Sequence, residues 1–198
     1  MSMRQLVLIR ELQHRTKNLL AVAQSIVTNT LDRTASTARA KEAIVGRLHA
    51  LSRAQEFVAS GASGGVPLPE LVEAELSAFA TQVSVEGIRI VLGGAFAQQF
   101  ALVLHELATN AAKHGSLSVC HGRLLIRWDI RQSDEPVLVF SWQERDGPRV
   151  QRPRDEGFGT RLIASALHHE PTVSFDPRGF EFSIAVPLSE VMPATKSH

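Results

Sequence analysis

Leu102–Gly115 reads LVLHELATNAAKHG, and its spacing describes a helix with two faces. Leu104, Leu107, Ala108, Ala111 and Ala112 recur at helical intervals and form an apolar stripe. Glu106, Asn110 and Lys113 fall at i, i+4 and i+7, so a carboxylate, an amide and an ammonium share a second face. Carboxylate and amide oxygens are hard donors suited to Mg²⁺, and a nearby ammonium suits phosphate oxygens. An ordinary solvated face would carry the same residue types, so this helix alone leaves the two readings level.

The elements around this helix supply a layer for its stripe. Downstream, Gly122–Ile130 and Val137–Trp142 are rich in β-formers, with a turn at Ser133–Pro136 between them. A loop spans Gln143–Glu156, and a helix follows over Thr160–His169. Two strands, Thr172–Phe175 and Phe180–Val186, are joined by a turn at Asp176–Gly179, and the tail after Leu188 reads as frayed. Upstream, Pro69–Thr81 predicts a helix and Ile88–Leu92 a strand. Antiparallel strands mixed with helices predict an α+β fold, with helices on one face of a sheet.

The N-terminal third is different. Residues from about Gln5 to Leu31 hold no Gly or Pro, and Leu8, Leu12, Leu19, Ala23, Ile26 and Thr30 trace a helix–helix seam. Asp32–Thr34 breaks the pattern, and a second helix is expected from Thr37 to Ala59. Ser60–Gly65 (SGASGG) reads as a linker, and Pro67 and Pro69 open the next element. Two domains are therefore expected: a helical hairpin over residues 1–62 and an α/β domain over 66–190. A lone hairpin buries little surface, so it is expected to dimerise through residues 5–59 into a four-helix bundle.

Composition excludes several classes. The 198 residues carry 21 Lys and Arg against 20 Asp and Glu, a formal net charge of +1, and no dense basic run marks a nucleic-acid face. The single cysteine, Cys120, rules out an internal disulfide framework and fits a reducing compartment. No apolar run approaches the roughly 18 residues a membrane span needs. The expectation is a cytoplasmic protein with no direct membrane insertion.

Three further stretches carry possible chemistry. His14 sits mid-helix in ELQHRTKN, beside the apolar seam and among polar side chains. An imidazole with an ordinary pKa near ~6.5 is largely neutral at pH 7 and can act as a nucleophile, with Glu11 at i−3 able to hold one ring nitrogen. Taken alone, it is more simply a surface histidine. Ser141–Pro148 (SWQERDGP) closes a strand, where ligands tend to gather, and Glu144 or Asp146 there could accept a hydrogen bond from an adenine amino group. Glu156–Thr160 (EGFGT) precedes a helix; its glycines permit close backbone approach, and free amides at a helix start bind phosphate. Thr160 doubles as the helix cap. Residues 145–157 would then form a lid. No zinc spacing, Walker pattern or Gly-x-Ser-x-Gly is present.

In this order the motifs resemble a bacterial sensor histidine kinase core of the HWE/HisKA_2 type. ELQHRTKNLLAVAQSI around His14 resembles that family's phosphoacceptor box, and HELATNAAKHGSLS at 105–118 its N-box, including the distinguishing His105. SWQERDGP matches the Trp-x-Glu element through Trp142 and Glu144, and GFGTRLI at 157–163 matches the final glycine box. The resemblance covers nearly all of residues 5–188. One departure stands out: Asp146 occupies a position where the family commonly has Gly.

The resemblance implies a dimeric phosphotransfer hairpin followed by a GHKL-type ATP-binding α/β sandwich, with ATP and Mg²⁺ as cofactors. Asn110 would hold Mg²⁺, Glu106 would orient or deprotonate the nucleophile, and Glu144 would recognise adenine. Gly157 and Gly159 would cradle phosphate, while His105, Lys113, His114, Asp146 and Thr160 would line the nucleotide. The implied partner is the receiver domain of a response regulator, phosphorylated on an aspartate from His14. No sensor domain precedes His14, so the chain is expected either to be part of a longer kinase or to take its input from a separate protein. A non-catalytic phosphotransfer or scaffold protein of the same fold is the alternative.

Overall fold

The computed structural model describes residues 16–17, 19–28, 30–31, 36–60, 65–150 and 169–193. His14 and the rest of the chain up to residue 15, most of the Ser60–Gly65 linker, the lid after residue 150, the Glu156–Thr160 turn and nearly all of the Thr160–His169 helix lie outside these residues. Two compact units divide the chain, residues 1–49 and 50–198.

In the first unit, the described residues up to 31 are helical (α1). Thr37–Ser60 (α2) is one helix, as its uninterrupted apolar spacing predicts, and it supplies residues to both units. Ile26, Thr30, Ala40 and Arg47 are buried, and Arg47 Nη1 donates to Thr30 Oγ1 at 2.5 Å. Thr30 in turn donates to the Ile26 carbonyl, the back-bond that hydroxyl side chains form inside helices. Leu20 and Leu31, by contrast, are 59% and 54% exposed.

The second unit is built on a five-stranded mixed sheet in the order β2-β4-β5-β7-β6. Its strands are Val83–Gly87 (β2), Arg123–Arg131 (β4), Val137–Arg145 (β5), Thr172–Asp176 (β6) and Gly179–Pro187 (β7). β2 runs parallel to β4, and every other pairing is antiparallel. Gly65–Pro67 (β1) and Val91–Gly93 (β3) form a separate two-stranded ribbon. The helices are Leu68–Leu76 (α3), opened by Pro67 and Pro69, and Gly94–His114 (α4).

Alternation fixes which sheet face is covered. Leu124, Ile126 and Trp128 on β4, Leu138, Phe140 and Trp142 on β5, and Phe182, Ile184 and Val186 on β7 are all buried. α4 lays Phe96, Phe100, Val103, Leu104 and Leu107 into the same core. Phe100 meets Phe140 edge-on at 5.0 Å, while Trp128 stacks along Phe140 at 6.4 Å, geometries favoured by aromatic quadrupoles. Ala54 and Val58 of α2 belong to this core as well.

The structure corrects the sequence reading at three places. Ile88–Leu92 is not a strand: β2 ends at Gly87, residues 88–90 are irregular, and β3 joins the small ribbon. Trp128 explains the break. Its ring lies where a Cβ on Gly87 would stand, within 2.2–2.5 Å, and its Nε1 donates to the Ile88 carbonyl at 2.7 Å. α4 begins at Gly94, about two turns ahead of the expected helix, because Phe96, Ala97, Phe100 and Ala101 extend the buried face upstream. The segment after Leu188 is not frayed over its described part: Leu188–Val191 is helical, Val191 is buried, and His169 Nε2 lies 3.1 Å from Glu190 Oε2.

Candidate nucleotide site

The C-terminal end of α4 and the end of β5 are joined at Ser116. α4 stops at Gly115, whose N–H is shared between the Asn110 and Ala111 carbonyls at 3.1 and 3.0 Å. The next residue, Ser116, donates its backbone N–H to Glu144 Oε2 at 2.7 Å. The other carboxylate oxygen, Oε1, accepts from Trp142 Nε1 at 3.1 Å. Trp142 and Glu144 are i and i+2 on β5, so both point into the core face. The Trp-x-Glu element is thus a same-face pair that pins the end of α4 to the sheet.

This junction admits no extra atoms. A Cβ on Gly115 would stand 2.0 Å from Glu144 Oε2, and one on Gly147 would stand 2.7 Å from Ser116 Cα. Glu144 is 4% exposed, and burial pushes its carboxyl up despite the hydrogen bonds from Ser116 and Trp142. Two residues on, Asp146 turns the chain at φ 56°. Asp tolerates this left-handed conformation better than most residues, but Gly adopts it without steric cost.

On α4 the three polar residues do not share one environment. Glu106 is 8% exposed, whereas Asn110, Lys113 and His114 are exposed at the end of the helix. The row at i, i+4 and i+7 therefore climbs from the core to the surface. Asn110, Lys113, His114 and Asp146 all reach solvent at the end of the unit where α4 and β5 meet. His105 points elsewhere: its Nδ1 lies 3.1 Å from Glu75 Oε2 on α3. Burial would raise the Glu75 carboxyl, but hydrogen bonds and charge from His105 and Arg53 hold it below the usual value. Of the other site residues expected from the sequence, His14, Gly157, Gly159 and Thr160 lie outside the described residues.

Asn110 and Glu106 supply an amide and a carboxylate oxygen, the donor type Mg²⁺ prefers. Among the described residues no cluster of three or more His, Cys, Asp or Glu could cage a metal. That set fits an ion held by one or two protein oxygens, with phosphate and water completing it.

A family model described as HWE histidine kinase matches residues 11–91. Over 95% of its length the chain is 33% identical to a blue-light-activated histidine kinase of Brucella anthropi, and over 82% it is 37% identical to one of Rhizobium johnstonii. The chain is similar to the HWE histidine kinases. It spans 40% and 47% of those two curated relatives. The histidine kinase domain of the blue-light-activated kinase EL346 from Erythrobacter litoralis shares the fold, with a TM-score of 0.56 at 16% identity, covering 86% of this chain and 97% of that domain. The sequence singles out Trp142, Glu144 and Asn110 but not Ser116 or Glu75. Ser116 contributes through its backbone, which leaves no trace in residue type. Glu75 was legible only as one acidic position on a short helix.

Proposed function

We propose that the chain is the autophosphorylating core of a two-component sensor kinase. Residues 1–62 act as the phosphoacceptor and dimerisation hairpin, and residues 66–190 as the ATP-binding domain. A ring nitrogen of His14 attacks the γ-phosphorus of ATP; an N–P bond forms, the bond to the β-phosphate oxygen breaks, and ADP leaves. Glu106 orients the imidazole or takes its proton. The phosphoryl group then passes to an aspartate of a response-regulator receiver domain. Phosphoryl transfer asks mainly for positioning and charge neutralisation, which Asn110 with Mg²⁺, Lys113, His114 and the amides of Gly157, Gly159 and Thr160 would provide.

The observation that best supports this reading is the junction at Ser116, which gathers the exposed end of α4 and the end of β5 into one place. The same junction favours Asp146 for the adenine contact: Glu144 is buried with each oxygen already accepting from the chain's own donors, whereas the Asp146 carboxylate is exposed. The exposed Leu20 and Leu31 support self-association of the hairpin, and a monomer by light scattering would remove that part.

Incubation with γ-labelled ATP and Mg²⁺ tests the whole. Acid-labile, alkali-stable label is expected on the wild type and absent from His14→Ala and Asn110→Ala. Absence of label together with absence of nucleotide binding by calorimetry would favour the phosphotransfer scaffold instead.

A further inference from the structure

Three helices of the second unit meet around one buried carboxylate that phosphoryl transfer does not use. Glu75 of α3 has a side chain only 5% exposed. Arg53 of α2 ion-pairs with its Oε1 through Nη2, and His105 of α4 faces its Oε2 through Nδ1 at 3.1 Å. A second tie runs alongside, where Gln98 Nε2 of α4 donates to Gln55 Oε1 of α2. Ala54 and Val58, on the same stretch of α2, are buried in the core that holds α4. A buried carboxylate served from two sides is costly to leave half-paired, so removing one partner strands the other.

We propose that His105 is a positioning residue acting through Glu75 and Arg53, and that this triad sets the placement of α4 by the placement of α2. α2 is continuous from Thr37 to Ser60, so a rotation or shift of that helix is carried to Arg53. Glu75 relays it to His105, and His105 stands between one and two turns before Asn110 on α4. The inference rests on the reading above only in taking α4 as the helix that carries the nucleotide-binding residues. It removes His105 from the set of nucleotide contacts.

The two ring nitrogens of His105 give the test. Asn places an amide nitrogen near the Nδ1 position, whereas Gln reaches toward Nε2. The full chain is compared as wild type, His105→Ala, His105→Asn, His105→Gln, Glu75→Gln and the double variant His105→Ala with Glu75→Gln. Calorimetry gives the Mg-ATP affinity, labelling at saturating ATP gives the rate, and hydrogen exchange without nucleotide gives the protection of residues 50–60 and of α4.

His105→Ala and Glu75→Gln should each slow saturated labelling about tenfold while changing nucleotide affinity less than about twofold, and the double variant should be no slower than the worse single one. Both should speed exchange in residues 50–60. Asn should restore rate and protection, and Gln should not. Rescue by Gln rather than Asn, loss of affinity in His105→Ala, or single effects that multiply would overturn the proposal. If the wild type takes no label, the proposed function fails by itself. The exchange pattern then still decides the triad: faster exchange in His105→Ala that Asn restores supports it, and unchanged protection refutes it.

Discussion

Glu144 commits its carboxylate to two donors within the fold, and the cost of removing it follows from that. Glu144→Ala would leave Ser116 N–H and Trp142 Nε1 buried without acceptors, each worth roughly 1–3 kcal/mol. A fall of that order is expected in the denaturant midpoint, with an unchanged slope. Asp146 behaves in the opposite way. At φ 56°, Asp146→Gly relieves a left-handed conformation and should stabilise the fold by about 0.5–1 kcal/mol. The same variant should weaken nucleotide binding in calorimetry, because the carboxylate proposed to meet adenine is gone. Gain of stability without loss of affinity would return the adenine role to Glu144. Glu75 titrates with a definite sign. Its folded-state carboxyl lies below the ordinary 4.5, so its ionised form stabilises the fold above that range. The contribution disappears as pH falls through the depressed value. In acid denaturation, wild type should therefore lose stability more steeply below about pH 4.5 than Glu75→Gln does.

Elements differed in how much of them a bare sequence discloses. α2 and the β4–β5 and β6–β7 hairpins were readable almost to their ends, since each is long, periodic and punctuated by turn residues. β2 was not. Val83–Gly87 is short, sits at the sheet edge and ends on a glycine, so its identity comes from its partner strand. The site shows the same division. The Trp-x-Glu pair was visible as a motif, but its role as a clamp on Ser116 depends on a backbone N–H that no residue type announces. Likewise His105 reads as a neighbour of Glu106 along the chain, and only packing against α3 turns it toward Glu75. At Gly87 the tight fit against Trp128 yields a direct test. Gly87→Ala should overpack the β2–β4 contact and cost about 1–3 kcal/mol, read as a lower melting temperature.

Across the molecule, one aromatic-rich core binds the sheet to α4, while the helices of residues 1–49 are held by a smaller buried set. In the larger unit hairpins join β4 to β5 and β6 to β7, while β5–β7, β1–β3 and β2–β4 pair across intervening chain. β2 makes the parallel pairing of the five-stranded sheet. Its parallel register with β4, Val83 opposite Leu124, requires the whole of β3 and α4 to lie between the two partners. Closing so long a loop costs entropy before any ladder bond repays it. β2 should accordingly join after the folding nucleus has formed. Gly87→Ala would then leave the refolding limb of a chevron plot where it was and raise only the unfolding rate, making this edge the place where the sheet begins to come apart.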